Sequence, residues 1–359
     1  MAVEITAFNT TFAGSLSPAA PFCRSDSGPS GAQAIVQIII LSIVVCAGVF
    51  GNSLIIAAMA ITPSLCTTAN YFILVLACVD LVNTGVLVPI FIFTLVKGEW
   101  PYEDMVCTAI GYLTIFCLAT SEITLTFLAG TRYLIVTKPK QVFARYFKAK
   151  FVVVYLIAFL ALSLTILFIP LWSSIGTVGF SFINSHCTFV ICDRSDWWYP
   201  LILFLLCMTI NVGIIPTFYL LTFHTVAKSK RTVKALQSIN GTVNDRHVIS
   251  LSPQEVTLTK KLLLLFLVFM ICWFPNCIVI FADGQQTVPP IIHEVTNLLI
   301  WLSSGINPYI YAFRTRKFRK VFRRILLWPW RKCRSRRPRG ASASENFGTS
   351  MVDRHESQP

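Results

Sequence analysis

Charge is what this sequence has least of. Asp, Glu, Lys and Arg together make up 13% of its 359 residues against 55% hydrophobic, and the mean hydropathy is +0.68. So few charges cannot solvate the surface of a soluble domain, and the apolar residues far exceed what one core buries, so the chain reads as an integral membrane protein. The first 34 residues, rich in Ser, Pro, Ala and Gly, lack a charged segment followed by an apolar stretch. No cleavable signal peptide is therefore expected, and the first span acts as its own insertion signal. No internal repeat relates the two halves, which counts against a transporter built from inverted repeats.

What is there is a series of apolar runs. A bilayer crossing needs roughly 20 apolar residues, and seven runs reach it, at about 35–60, 70–96, 105–131, 150–171, 198–226, 259–282 and 291–313. The expected fold class is an all-α membrane protein, a seven-transmembrane helix bundle. Residues 1–34 would form an extracellular N-terminus, 314–326 a short amphipathic helix 8 and 327–359 a disordered cytoplasmic tail.

Orientation follows from Lys and Arg, which collect in cytoplasmic loops. The N-terminus and the second, fourth and sixth connections hold only Arg24, Lys97 and Arg194; the other 27 of 30 lie on the opposite side, fourteen of them from Arg314 onward. The N-terminus is therefore expected outside and the C-terminus in the cytoplasm. The outer face sums to −6 and the inner face to +22, with Asp80 and Glu122 inside spans. The net charge of +14 thus faces anionic lipid and cytoplasmic partners and implies no nucleic acid. Of twelve cysteines, Cys23, Cys107, Cys187 and Cys192 fall on the outer side, where four can form two bridges in three connectivities. Asn9 heads an outer glycosylation sequon; Asn240 heads another on the cytoplasmic side, where it stays unmodified. After the last span, "FRTRKFRKVFRRILLW" interleaves Phe313, Phe318 and Phe322 with Arg and Lys, a pattern suited to the inner membrane surface. Cys333 beyond it is a candidate palmitoylation site, and Ser342, Ser344, Thr349 and Ser350 are candidate phosphoacceptors.

Polar residues inside spans are costly and so mark function. Gly51-Asn52 in the first span, "NYFILVLACVD" ending on Asp80, Trp100 seven residues before Cys107, Arg132-Tyr133 with Pro139, Cys272-Trp273-Phe274-Pro275 and Asn307-Pro308-Tyr309-Ile310-Tyr311 occur in that order. Together they resemble the rhodopsin-like (class A) G-protein-coupled receptors over roughly residues 35–325. The resemblance implies a plasma-membrane receptor and not an enzyme, with an extracellular ligand, a heterotrimeric G protein, arrestin and a receptor kinase as partners. It also implies a disulfide from Cys107 to Cys187 or Cys192, leaving Cys23 for the other. Apart from a sodium ion, it implies no cofactor: the family's sodium pocket falls on Asp80, Ser121, Ser303, Ser304 and Asn307. Pro275 and Pro308 each remove a helical hydrogen bond and kink their spans. Trp273 is then placed to sense ligand, and Tyr311 to swing inward as the sixth span moves out.

An amine receptor of this family carries an aspartate seven residues after the third-span cysteine, where this chain has Thr114; an opsin carries a lysine where this chain has Trp301. The expected pocket is Thr114, Leu118, Met208, Asn276, Cys277, His293, Asn297 and Trp301, suiting a neutral small molecule, a lipid or a peptide. His293 is expected to be partly exposed at the top of the seventh span. "NYFILVLACVDLV" and "SHCTF" resemble melatonin-type receptors, which also bind a neutral ligand without that aspartate.

Several positions depart from the family pattern. Thr131 replaces the acid before Arg132, so Glu255 at the inner end of the sixth span becomes that arginine's available partner. Glu122 replaces an aliphatic that would pack against Pro216 and Phe269, and is expected to be protonated and hydrogen-bonded at rest. His224 stands where a tyrosine usually supports the active-state arginine. These departures leave two alternatives: a non-signalling decoy or scaffold, and a seven-helix transporter using Asp80 and Glu122 as proton carriers. If Thr131 loosens the resting state, Thr131→Asp should lower basal G-protein activation in transfected cells and Glu255→Ala should raise it; an unchanged level in both would contradict this.

Overall fold

Apolar composition dictates helices here, because inside a bilayer each backbone N–H and C=O must find its partner within the same segment. In the computed structural model, residues 31–137, 149–167, 176–182, 184–190, 198–240, 253–282 and 288–335 are described. The first span is Gly31–Ile61. The second is Thr68–Val82 continued by Val88–Lys97 through a π-helical turn, Asn83–Leu87. The third is Asp104–Thr137 and the fourth Ala149–Leu167. The fifth joins Trp198–Met208 to Ile215–Asn240 through a second π-helical turn, Thr209–Ile214. The sixth is Pro253–Ala282, with Pro275 inside it, and the seventh Pro290–Arg314, with Pro308 inside it. An eighth helix follows, Arg316–Ser335.

Among the described residues, five stretches are long and apolar enough to cross a membrane: Gly31–Ile61, Asn70–Lys97, Asp104–Thr137, Trp198–Ser229 and Thr259–Ala282. Ala149–Leu167 and Pro290–Arg314 complete the seven. Large apolar side chains such as Ile39, Ile43, Leu205 and Leu220 face outward, as lipid contact requires. Several helices outrun the apolar runs that announced them. The third continues to Thr137, the fifth to Asn240, and the sixth begins at Pro253. The eighth reaches Ser335, so residues 327–335 are helical where the tail was expected to begin. Hydrophobicity marks only the part of a helix inside the bilayer, whereas the hydrogen-bond ladder continues into polar sequence. Asn9, Cys23, Pro139, Cys192 and the phosphoacceptors of the tail lie outside the described residues, as do the side chains of Glu255, Tyr311 and Cys333.

The core has two parts. The inner one gathers Ile55, Phe72, Leu76, Leu125, Leu128, Leu262, Leu265 and Phe266, and receives Phe318 and Phe322 of the eighth helix. That helix thus docks by its phenylalanines and leaves Arg316, Lys317, Arg319 and Lys320 exposed. The outer one gathers Leu41, Val88, Phe91, Leu95, Cys117 and Trp301. At Gly51 the first and seventh spans meet so closely that a Cβ would lie 2.7 Å from Pro308.

Part of the connection between the fourth and fifth spans is an antiparallel hairpin of β1 (Thr177–Ser181) and β2 (His186–Val190), which the apolar runs did not announce. Its signal was present in "TVGFS" and "HCTFV", which are short and rich in β-branched and aromatic residues. Ser185 turns the chain with a positive φ of 54°. A disulfide joins Cys107 to Cys187, so Cys187 and not Cys192 is the partner. Thr94 donates to the Ser185 carbonyl at 2.6 Å, and Gly111 admits Val178 where any side chain would collide.

His186 of β2 packs edge-on against Phe91 and Trp301 at 5.5 and 5.9 Å between ring centroids. Burial pushes its pKa from 6.5 down to about 4, opposed in part by the Asn184 carbonyl 2.8 Å from Nδ1. Above pH 6.5 neither folded nor unfolded His186 binds a proton; between about 6.5 and about 4 the unfolded chain binds one that the folded chain refuses. The melting temperature of the purified protein should therefore fall as pH drops through that window, and less steeply in His186→Phe. Equal slopes would contradict this account.

Candidate functional site

Beneath the hairpin, the third, fifth, sixth and seventh spans enclose a cavity of about 620 Å³, within the size range of small-molecule sites. All eight residues expected at the pocket line it: Thr114, Leu118, Met208, Asn276, Cys277, His293, Asn297 and Trp301. His293 is buried, 6% exposed, which corrects the expectation of a partly exposed residue. The physical reason is the hairpin, which covers the outer end of the bundle and makes the top of the seventh span part of a cavity wall. Thr114 donates its hydroxyl to the Ile110 carbonyl at 2.9 Å. Asn276 donates to Thr296 at 3.3 Å, and Asn297 donates to the Asn184 carbonyl at 3.3 Å with His186 Nδ1 3.2 Å away. Sequence reading missed the hairpin's contribution, Asn184, His186, Thr188 and Phe189 among it. The adjacency of "SHCTF" to a cysteine tied to the third span could have pointed there.

Glu122, half-buried, also lines this cavity, as does Phe269. Its carboxyl accepts a hydrogen bond from Asn211 Nδ2 at 2.6 Å and is hydrogen-bonded to the Cys207 thiol. Asn211 sits in the π-helical turn Thr209–Ile214, whose wider winding presents an inward position that an α-helical count does not foresee. Its Nδ2 also donates to the Cys207 carbonyl at 3.1 Å, which can only accept and so sets which way the amide faces.

Deeper in the bundle, a cavity of about 10 Å³, room for one water-sized body, is lined by Asp80, Asn83, Ser121, Ser303, Ser304 and Asn307. Asn307 donates to Asp80 at 2.7 Å, Ser304 hydrogen-bonds the same carboxyl, Asn83 donates to the Ser304 hydroxyl at 3.1 Å, and Asn52 donates to the Ser304 carbonyl at 3.2 Å. Ser121 and Ser303 donate to Cys117 and Ile300 carbonyls of their own helices at 3.0 and 2.6 Å. Asn83 escaped the sequence reading; its buried Oδ1 has no partner, so an acceptor remains at this polar cluster. Such an all-oxygen donor set suits a hard cation. Leu118, Phe269, Trp273, Ile300 and Trp301 line both cavities and form one wall between them. In it Phe269 and Trp273 stack at 5.5 Å.

At the inner end Arg132 is buried, 3% exposed. Thr131 is buried and donates to the Leu128 carbonyl at 2.9 Å. Tyr133 lies 5.7 Å from the Phe218 ring. His224 is exposed, whereas Tyr219, five residues earlier, is buried within electrostatic reach of Arg132.

A family profile described as "7 transmembrane receptor (rhodopsin family)" matches residues 51–311. Melanopsin-B of Gadus morhua is 28% identical over 351 residues, covering 94% of this chain; this chain spans only 55% of that protein's length. The D(1) dopamine receptor of Carassius auratus is 27% identical over 323 residues, 82% of this chain and 88% of the relative. The crystal structure of squid rhodopsin superposes with a TM-score of 0.74 at 20% identity, covering 88% of this chain and 93% of that one, a likeness of fold. The chain belongs to the rhodopsin family of seven-transmembrane receptors, multi-pass membrane proteins of the G-protein-coupled class and not enzymes.

Proposed function

We propose that this receptor binds a small, predominantly apolar and uncharged extracellular ligand in the larger cavity and passes its presence to a G protein through the sixth span. The observation that carries this reading is the shared wall: a ligand touching Phe269 or Trp273 touches residues that also bound the Asp80 cavity. Displacing Trp273 would swing the sixth span about Pro275, carrying its inner end away from Arg132 and opening a cytoplasmic cleft. Thr114, whose hydroxyl is engaged with Ile110, offers no counter-charge to an amine at the depth where amine receptors hold one. Trp301 offers no amine for a retinal Schiff base, although melanopsins and dopamine receptors are among the relatives. The N-terminus lies outside, and the basic inner face meets anionic lipid, the G protein, arrestin and a receptor kinase.

Sodium would be held in the resting state by Asp80, Asn83, Ser121, Ser303, Ser304 and Asn307, where it supplies the positive charge that a buried carboxylate requires. The non-signalling alternative rests on Thr131 and the exposed His224.

Replacing choline chloride by sodium chloride at equal ionic strength should raise the melting temperature of the purified receptor and lower its basal G-protein nucleotide exchange. Asp80→Asn should abolish both effects. Sodium responses that persist in Asp80→Asn would overturn the ion assignment, and no exchange with any G-protein class would favour the non-signalling reading.

A further inference from the structure

Among the described residues lining the large cavity, Glu122 is the only acid, and no lysine or arginine accompanies it. It lies eight residues beyond Thr114 on the same helix, about 12 Å deeper at 1.5 Å per residue. A half-buried carboxyl there is a polar feature in an otherwise apolar wall, and its surroundings are specific. Asn211 Nδ2 donates to Oε1 at 2.6 Å and so occupies part of the carboxyl's acceptor capacity, while the Cys207 sulfur, which accepts from the same Nδ2 at 3.3 Å, is hydrogen-bonded to the carboxyl as well. The acceptor that could have shared a ligand's protons, Asn211 Oδ1, is turned away by the Cys207 carbonyl and is closed off in the protein interior.

We infer that Glu122 is the specificity-determining anchor of the ligand cavity, accepting one hydrogen bond from a hydroxyl at the inner end of an uncharged, mainly apolar ligand. Three features select that chemistry. An ammonium brings three N–H donors and its full desolvation cost into an apolar pocket and finds one partly occupied acceptor group, whereas a hydroxyl needs one acceptor. A purely apolar ligand would leave the free part of the carboxyl desolvated without a partner, which is costly. The depth of Glu122, about 12 Å below Thr114, requires a ligand long enough to run that far beneath the hairpin, so the hydroxyl lies at the leading end of an elongated body.

This inference rests on the larger cavity being the ligand site, and the test separates the two. Three probes with one scaffold, 2-naphthylethanol, 2-ethylnaphthalene and 2-naphthylethylammonium, are compared by the rise they produce in the melting temperature of the purified full-length receptor. In the wild type the alcohol should act at the lowest concentration. Glu122→Gln, which keeps a carbonyl acceptor, should shift its half-maximal concentration by less than about threefold, and Glu122→Leu should weaken it by about tenfold or more, as loss of one buried hydrogen bond implies. The hydrocarbon should act alike in the wild type and Glu122→Gln and at a lower concentration in Glu122→Leu, where no carboxyl is left desolvated without a partner. Overturning results are the ammonium acting best with its advantage lost in Glu122→Gln, which would make Glu122 a counter-ion, or equal action of the three probes in the wild type, including none. Should Glu122→Leu fail to fold, Glu122→Gln alone still separates an acceptor from a counter-ion. Leu118→Trp, which fills the cavity, should abolish stabilisation by every probe; if the alcohol still stabilises that variant, the cavity is not the ligand site and the broader reading fails as well.

Discussion

The arrangement depends on one carboxylate that no bilayer would otherwise tolerate. Asp80 is 2% exposed in the middle of an apolar bundle, and a group like that persists only if donors or a cation meet it there. The donors come from distant parts of the chain: Asn307 and Ser304 reach it from the seventh span, and Asn83 and Asn52 hold Ser304 from the second and first. Three spans are thereby fixed in register around a single charge. The glycine at 51 that lets Pro308 close on the first span is the steric half of the same constraint. Whatever changes how Asp80 is satisfied acts on the packing of those three spans.

The outer half is held by different means. A disulfide and the Thr94–Ser185 hydrogen bond pin the hairpin over the bundle, and its polar turn meets Asn297 of the seventh span. The result is a roofed cavity whose floor, Trp273 and Phe269, is the ceiling of the Asp80 site. Coupling between the two needs no long pathway, because five residues belong to both walls. At Glu122 the fifth span adds a local feature of its own: a π-helical turn delivers Asn211 to a carboxyl that an unbroken α-helix would have left without that amide.

Much of this was legible in the sequence, for physical reasons. The seven spans followed from apolar length, the Asp80 cluster from polar groups at positions where polarity is costly together with the family resemblance, and the eight cavity residues from that resemblance. What was not legible is where the backbone departs from regular periods. The hairpin of Thr177–Ser181 and His186–Val190, the π-helical placement of Asn211 and the extension of the eighth helix to Ser335 each depend on backbone geometry that hydrophobicity does not encode. His293 was misjudged because its exposure is decided by the hairpin above it and not by its own helix. Tyr219, within electrostatic reach of Arg132, was missed because partners for that arginine were sought at Glu255 and at position 224.

The central claim is that satisfying or releasing the Asp80 site through the shared wall moves the sixth span relative to the third. Its most direct measurement is the distance between spin labels at Thr137 and Lys260, at the inner ends of those spans, by pulsed electron spin resonance. The sodium-loaded receptor should give a single short distance. The complex with nucleotide-free G protein should give a longer one by several ångström, on the scale of the one-turn element shifts known in switching proteins. One unchanged distance in both states, with nucleotide exchange proceeding normally, would contradict the account.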